Sequence, residues 1–389
     1  MNEFEKLLAC LPDEPDFTWD WRGLEQTALA PLFEKMAATE QNPAWHAEGD
    51  VWTHTRMVCE ALAELEGFRA LNAVKRQELA LAALLHDTGK ITRTRLEDGV
   101  LTSPGHGAAG ASMVRSLLWR DYGFSGSTDK QNFRETVCLL MRYHTLPLHI
   151  LDQRAPKQRV RKVAANGELA ADFDLNMLCL LAEADVRGRI CSDANEKLDE
   201  IYLGRELAEE AGCLHGPYTF PDAHTCRAYL SGKNVWPEQP LYDDCWGEAV
   251  LMCGLPGTGK DTWIKENLPG MPTVCLDDIR SRMGIKPTEN QGAVVQAAKE
   301  QAKEYLRRKQ PFVWNATSIT PMLRDKQIRL FEEYGASVRI VYLETGWEED
   351  LRRNSSRVRN VPEAAIARML NNLIPPERHE ARRVDWICI

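Results

Sequence analysis

The chain has 389 residues, 44% of them hydrophobic and 27% charged, with a net charge of −9; this is ordinary globular composition with room for two cores, and it excludes a collagen-like or largely disordered protein. No apolar run approaches the ~18 residues a membrane span needs and no basic-then-apolar leader is present, so a cytoplasmic protein with no membrane partner is expected. Eleven cysteines occur without a Cys-x-x-Cys pair, which favours reduced thiols over disulfides or a zinc ribbon. The acidic excess sits before residue 247, while the remainder is slightly basic. Bulk charge therefore neither suggests nor forbids a polynucleotide partner.

Residues 1–212 read as almost wholly helical. Apolar positions recur at helical spacing over Trp52–Leu65, Glu78–Leu85, Ala109–Leu118, Phe133–Tyr143, Asn176–Ala184 and Asn195–Ala211, with Gly and Pro clusters between them. On this background stand His54 within the first helix, the pair His86-Asp87 after the run ending at Leu85, His106 in a Gly-Pro loop, His144 closing a helix and Asp185 closing another. Neutral imidazoles and carboxylates suit Mn, Fe, Co, Ni or Zn, and an aspartate can bridge two ions. A lone histidine would be read as a core residue; the joint pattern points to a metal site. His149 is an alternative to His144. The basic run Arg154 to Lys162 reads first as a solvated helix face and second as an RNA contact.

The order His54, His86-Asp87, Asp185 resembles the HD phosphohydrolase superfamily. Leu84-Leu-His-Asp-Thr-Gly-Lys90 matches its central motif, and Ala182-Glu-Ala-Asp-Val-Arg-Gly-Arg189 looks like the last motif of the subgroup related to the domain in tRNA nucleotidyltransferases. By that resemblance one metal takes His54, His86, Asp87 and Asp185, and a second takes Asp87, His106 and His144. Lys90, four residues after His86, would face the same site and contact a phosphate. Two metals would account for phosphoester hydrolysis without a separate protein base.

Residues 213–246, rich in Pro, Gly and aromatics, are read as an inter-domain segment. Tyr218, Phe220, Tyr229, Trp236, Tyr242 and Trp246 could stack on bases there, although packing is the more ordinary use. From 247 to 389 the pattern alternates: Ala249–Cys253, Pro272–Leu276, Pro311–Trp314 and Val338–Leu343 as strands, Ala293–Lys309 and Pro321–Tyr334 as helices. That is an α/β domain on a parallel sheet. After the first strand comes Gly254-Leu-Pro256-Gly257-Thr258-Gly259-Lys260-Asp261-Thr262, a Gly-x-x-x-x-Gly-Lys phosphate loop opening a helix. Its backbone N–H groups would cradle the β-phosphate and Lys260 would reach the β and γ oxygens of ATP or another NTP carrying Mg2+. Asp261 stands where that motif has Ser or Thr for the magnesium; Thr262 is about 100° further round the helix. Asp277 and Arg280 follow the second strand, where a carboxylate can take the proton of an attacking alcohol. In the run Leu351 to Arg359, Arg353 and Arg357 share one helical face, a placement for a lid closing on the transferred phosphate.

These pieces resemble the phage and bacterial 5′-hydroxyl polynucleotide kinases. The resemblance makes Asp277 the general base, Arg280 the grip on substrate phosphate, and Arg353 and Arg357 the lid; Asn315 and Thr317 are weaker candidates near a strand-end acid that is not reproduced. An HD domain followed by such a kinase is similar to the bacterial HD–polynucleotide kinases, which remove 2′,3′-cyclic, 2′- or 3′-phosphates and phosphorylate 5′-hydroxyls of RNA or DNA. A multidomain chain is thus expected: an all-α HD phosphohydrolase domain, then an α/β P-loop kinase domain, with a separate ligase as partner. The alternatives are a small-molecule kinase–phosphohydrolase and a regulatory nucleotide-binding protein with a non-catalytic HD module.

Overall fold

The computed structural model describes residues 2–286, 288–357 and 360–389; Val358 and Arg359, the end of the arginine run, lie outside these ranges. The chain divides into two compact units, one of residues up to 124 with 129–218, the other of 125–128 with 219–389. The stretch read as a linker is therefore shared between them, and it contains a helix, Ala223–Leu230, capped by Asp222.

The first unit is helical. Its helices begin on side chains that satisfy orphan backbone donors: Asp50 accepts from the N–H of Trp52 and Thr53, Asn72 from Lys75, and Asp174 from Met177. The three helices so capped, Val51–Glu64, Ala73–Leu85 and Leu175–Arg187, pack on one another. The last is buried from Leu175 to Val186, all round rather than along one stripe, as a central helix must be. One antiparallel hairpin, β1 (Arg95–Glu97) with β2 (Val100–Thr102), interrupts the helices. Its turn is Asp98-Gly99, both at positive φ, the Asp-Gly sequence a two-residue hairpin loop favours. The basic run forms the helix Pro156–Ala164, but Arg161 is buried, donating to the Ala211 carbonyl at 2.9 Å and lying over the Tyr218 ring.

The second unit carries five parallel strands in the order β4-β5-β3-β6-β7: β3 Glu248–Cys253, β4 Thr273–Cys275, β5 Phe312–Asn315, β6 Ser337–Glu344 and β7 Arg383–Cys388. Strands β4 and β5 each begin one residue after a proline, which has no N–H to give to a ladder. β3 is buried from Ala249 to Cys253, the continuous apolar run of a central parallel strand. Val250 and Met252 meet Val313, Val341, Leu343, Trp263 and Ile264 in the core. The chain leaves β3 toward β4 and leaves β6 toward β7, so the loop after β3 opens at a switch point, where α/β sheets place their ligands.

Candidate metal centre and phosphate loop

Two glycines allow the first unit's site to assemble. A Cβ on Gly89 would stand 2.0 Å from the His106 carbonyl oxygen, and one on Gly188 would stand 2.5 Å from the Val58 nitrogen. Only glycine permits either approach. The first presses the turn bearing His86 and Asp87 onto the start of the helix His106–Arg120; the second presses the end of Leu175–Arg187 onto the helix carrying His54. His106 is thus the first residue of a helix, and Asp185 lies within one.

Asp87 is the centre of what converges, and its two oxygens face different partners. Oδ2 lies 3.3 Å from His86 Nε2 and 3.7 Å from His54 Nε2, while Oδ1 lies 3.3 Å from His106 Nε2 and 3.9 Å from His144 Nε2. Asp185 Oδ1 is 3.0 Å from His54 Nε2 and 4.0 Å from His86 Nε2. His149 is exposed at the end of the 3-10 helix Pro147–His149; His144 is the histidine brought in, 3.1 Å from His106.

Each ring has a polar partner on its far side, a hydrogen-bonded carbonyl for three and a carboxylate in close approach for His54. The Nδ1 atoms of His86, His106 and His144 lie 2.8, 2.9 and 2.7 Å from the carbonyls of Ala83, Ser103 and Met141, and His54 Nδ1 lies 2.8 Å from Glu48 Oε1. Carbonyl partners fix Nδ1 as the donor and leave the Nε2 lone pair for a cation. Glu48 also takes His46 Nδ1 and the Ile190 N–H. Lys90 donates to Asp87 Oδ2 at 2.7 Å and to Gln41 at 2.6 Å, and Arg189 holds Asp185 at 2.5 and 3.1 Å. Gln41, Glu48 and the anchoring by Arg189 escape the sequence reading; only Arg189, four residues from Asp185, had a spacing that could have shown it.

The electrostatics match a cation site. Burial works against the charge of Asp87 and of Asp185, yet Lys90 and His86 hold the first, and Arg189 and His54 the second, well below the usual carboxylate range. Burial, with His106 and His86, pushes His144 down to about 3 and keeps it neutral. Among the described residues His86 Nε2 and Asp87 Oδ1 find no hydrogen-bond partner although buried, a costly state for a polar atom unless a cation completes it. His54, His86 and Asp87 form one compact donor group, and Asp87, His106 and His144 another. The residues fit a divalent cation in each, with Asp185 beside the first and Asp87 shared.

In the second unit Gly254 and Gly257 hold φ values of +141° and +98°, strained for any side chain. The loop from Gly254 through Pro256 to Gly259 leads into the helix Lys260–Asn267. Lys260 Nζ is folded onto the loop, donating to the carbonyls of Gly254 at 3.0 Å and Leu255 at 2.6 Å, and Thr258 Oγ1 donates to Leu255 O at 2.9 Å. Burial lowers Lys260 to about 8. Thr262 is exposed, while Asp261 accepts from Asn315 Nδ2 at 2.6 Å. The Thr317 carbonyl accepts from the Gly254 N–H.

Asp277 does not end a strand. β4 stops at Cys275, and Asp277 sits in the first turn of the helix Leu276–Arg282, where a carboxylate complements the helix dipole. It is paired with Arg280, which also donates to Gln291 at 2.7 Å. Arg353 and Arg357 flank the loop: Arg353 pairs with Glu349 at 2.6 Å with Nη1 near Gly259, and Arg357 lies 3.7 Å from Asp261. Asp350, which the sequence reading passed over, is buried against Gly257.

Comparison with known proteins assigns the two regions to classes. Residues 51–175 match the family model described as an HD domain, and residues 250–376 the model described as an AAA domain. The first match stops ten residues short of Asp185; the second contains Lys260, Asp277, Asn315, Arg353 and Arg357. The chain thus joins an HD domain to a P-loop, kinase-like domain on a five-stranded parallel sheet. A stretch of 92 residues, 24% of the chain, is 33% identical to a Multifunctional CCA protein of Halorhodospira halophila (strain DSM 244 / SL1). It covers 20% of that protein, so the chain matches about a fifth of this relative's length. No helix among the described residues is long and apolar enough to cross a membrane.

Proposed function

We propose that this chain is a bifunctional nucleic-acid end-healing enzyme. The HD half would hydrolyse 2′,3′-cyclic phosphates and 2′- or 3′-phosphates, and the P-loop half would transfer the γ-phosphate of ATP or another NTP to a 5′-hydroxyl. The observation that carries the reading is the pairing, in one chain, of Asp87 set between two histidine pairs with a phosphate loop flanked by Arg353 and Arg357, the ion pair Asp277–Arg280 following β4 in the same unit.

In the HD half, divalent cations held by His54, His86, Asp87 and Asp185, and by Asp87, His106 and His144, would polarise phosphate oxygens and acidify water. Lys90, already beside Asp87, brings an ammonium to the substrate phosphate, and Gln41 keeps it there. Arg189 and Glu48 hold Asp185 and His54 in place. In the kinase half, the Gly254–Gly259 backbone would receive the donor's phosphates, and Lys260 would exchange loop carbonyls for phosphate oxygens. Asp277 would accept the proton of the 5′-hydroxyl, with Arg280 on the acceptor's phosphate, and Arg353 and Arg357 would neutralise charge on the group in transit. An acceptor carrying its own phosphate supplies a reason for Arg280 beside Asp277, which a free nucleoside would not use.

The test is an RNA oligonucleotide with a 5′-hydroxyl and a 2′,3′-cyclic phosphate, given ATP, magnesium and manganese, with each end followed separately. Lys260→Ala is expected to lose only 5′ phosphorylation, and Asp87→Ala only 3′ processing. Wild-type protein that changes neither end while hydrolysing ATP would overturn the proposal in favour of a regulatory module.

A further inference from the structure

P-loop NTPases hold the nucleotide's magnesium with a Ser or Thr hydroxyl after the loop lysine and with an aspartate from a neighbouring strand. This chain has neither arrangement: Asp261 follows Lys260, and the adjacent strand β5 ends in Asn315. The two departures touch each other. Asn315 is buried, and its Nδ2 donates to Asp261 Oδ1 at 2.6 Å, while the Asp261 side chain is otherwise largely exposed, with Oδ2 3.7 Å from Arg357.

We propose that the magnesium-holding carboxylate has exchanged places in this domain: Asp261 in the P-loop is the anionic ligand, and Asn315 at the strand end is the amide that orients it. The assignment rests on the reading of the loop as a nucleotide site and concerns its metal alone. The total charge presented to the cation is conserved, since a hydroxyl with a carboxylate and a carboxylate with an amide each carry one negative charge. The amide, having a donor to offer, pins one carboxylate oxygen and leaves the other to the cation. A serine at 261 would leave Asn315 without its partner, and an aspartate at 315 beside Asp261 would set two carboxylates in contact. Each residue is thus explained by the other, and Asn315 is a positioning residue.

The experiment measures ADP affinity of the full-length chain by calorimetry, without metal and at saturating magnesium. A parallel titration of Lys260→Ala at saturating magnesium reads any ADP taken up at cations of the HD site and is subtracted. Wild type is expected to bind ADP at least about tenfold more tightly with magnesium. Asp261→Asn keeps an acceptor for the Asn315 amide but loses the charge; it and Asp261→Ser should retain metal-free ADP binding and lose most of the magnesium gain. The double exchange Asp261→Ser with Asn315→Asp should regain it. Unchanged metal-free binding shows that the loop is intact in each variant. A wild-type magnesium gain in Asp261→Asn, or no recovery in the double exchange with metal-free affinity intact, overturns the assignment. If wild type and Lys260→Ala alike bind no ADP, the nucleotide-site reading itself falls and takes this assignment with it, a result distinct from the preceding ones.

Discussion

In the HD unit, His86, His106 and His144 are each turned by a hydrogen bond on the far side and His54 by the nearby Glu48 carboxylate, and all the donors but the half-buried His106 are buried before any ligand arrives. In the P-loop unit the groups assigned to phosphate are turned onto one another: Lys260 onto loop carbonyls, Arg280 onto Asp277, Arg353 onto Glu349. The difference follows from what each site must hold. A small cation needs ligands fixed within tenths of an ångström, and helices pressed together supply that. A polyphosphate brings enough charge to recruit flexible cations from local partners, so the loop need only keep them near.

If the HD donors are fixed by close packing, the packing is where that contrast breaks most severely. Gly89→Val would drive a side chain into the His106 carbonyl, 2.0 Å from the first added carbon, at a cost of about 3 kcal/mol. Purified variant protein should lose nearly all metal retained after dialysis and all 3′ processing, with 5′ labelling unaffected. Metal retention at the wild-type level would show that the turn, not the glycine, sets the geometry.

The helical unit also buries an acid in its protonated form, away from the metal donors. Glu78 is buried in Ala73–Leu85, and the nearby Lys75 is engaged by Asp174 at 2.6 Å. Burial, with Asp172 adding, raises Glu78 to about 9 from 4.5. Between those values the unfolded chain has released a proton that the folded chain keeps. Stability from this group is therefore complete at the acid end and lost as pH rises, by up to about 1.4 kcal/mol per pH unit. Glu78→Gln should flatten the fall in the HD unit's thermal midpoint between pH 6 and 8.5, as read by calorimetry. Parallel profiles for variant and wild type would refute the buried neutral acid.

Chelation has a smaller effect but separates the units directly. At free metal a hundredfold above its dissociation constant, a cation stabilises the fold it binds by about 2.7 kcal/mol. EDTA should lower the HD unit's melting midpoint and leave that of the P-loop unit in place, whereas ADP with magnesium should raise only the latter.

The donor set was legible in the sequence because His and Asp of that kind seldom recur on helices otherwise apolar, and their spacing survives folding. Their anchors were not: Glu48 and Gln41 sit on irregular chain before the first site helix and reach the site only in three dimensions. The sheet was legible in four strands: the inner β3, β5 and β6, whose apolar runs are buried, and the short edge strand β4, marked by the proline before it. Strand β7 was missed because Val384-Asp385-Trp386-Ile387 follows two arginines and is only partly buried, as an edge strand is. Asp277 was placed at a strand end because a three-residue strand running straight into a helix leaves no turn signal between them.

Asp350 was hidden for a different reason. In Glu348-Glu349-Asp350 it reads as one more acid at a helix start, and only its position against Gly257 sets it apart. Both carboxylate oxygens are buried without a hydrogen-bond partner among the described residues, and burial raises the group to about 7 against the pull of Lys260, Arg353 and Arg357. Below that pH it is neutral and does not oppose phosphate; above it, a negative charge stands behind the loop. ADP affinity of the wild type should therefore fall as pH rises from 6 to 8. Asp350→Asn, neutral throughout, should lack that fall and decline only as Lys260, no longer raised by the Asp350 charge, discharges. At pH 7.5 the variant should bind ADP about fivefold more tightly, the effect of about 1 kcal/mol of repulsion removed, and at pH 6 the two should be equal. An equal gap at both pH values would mean that the substitution acts through packing on Gly257, and the P-loop unit would then be as rigidly built as the HD cluster.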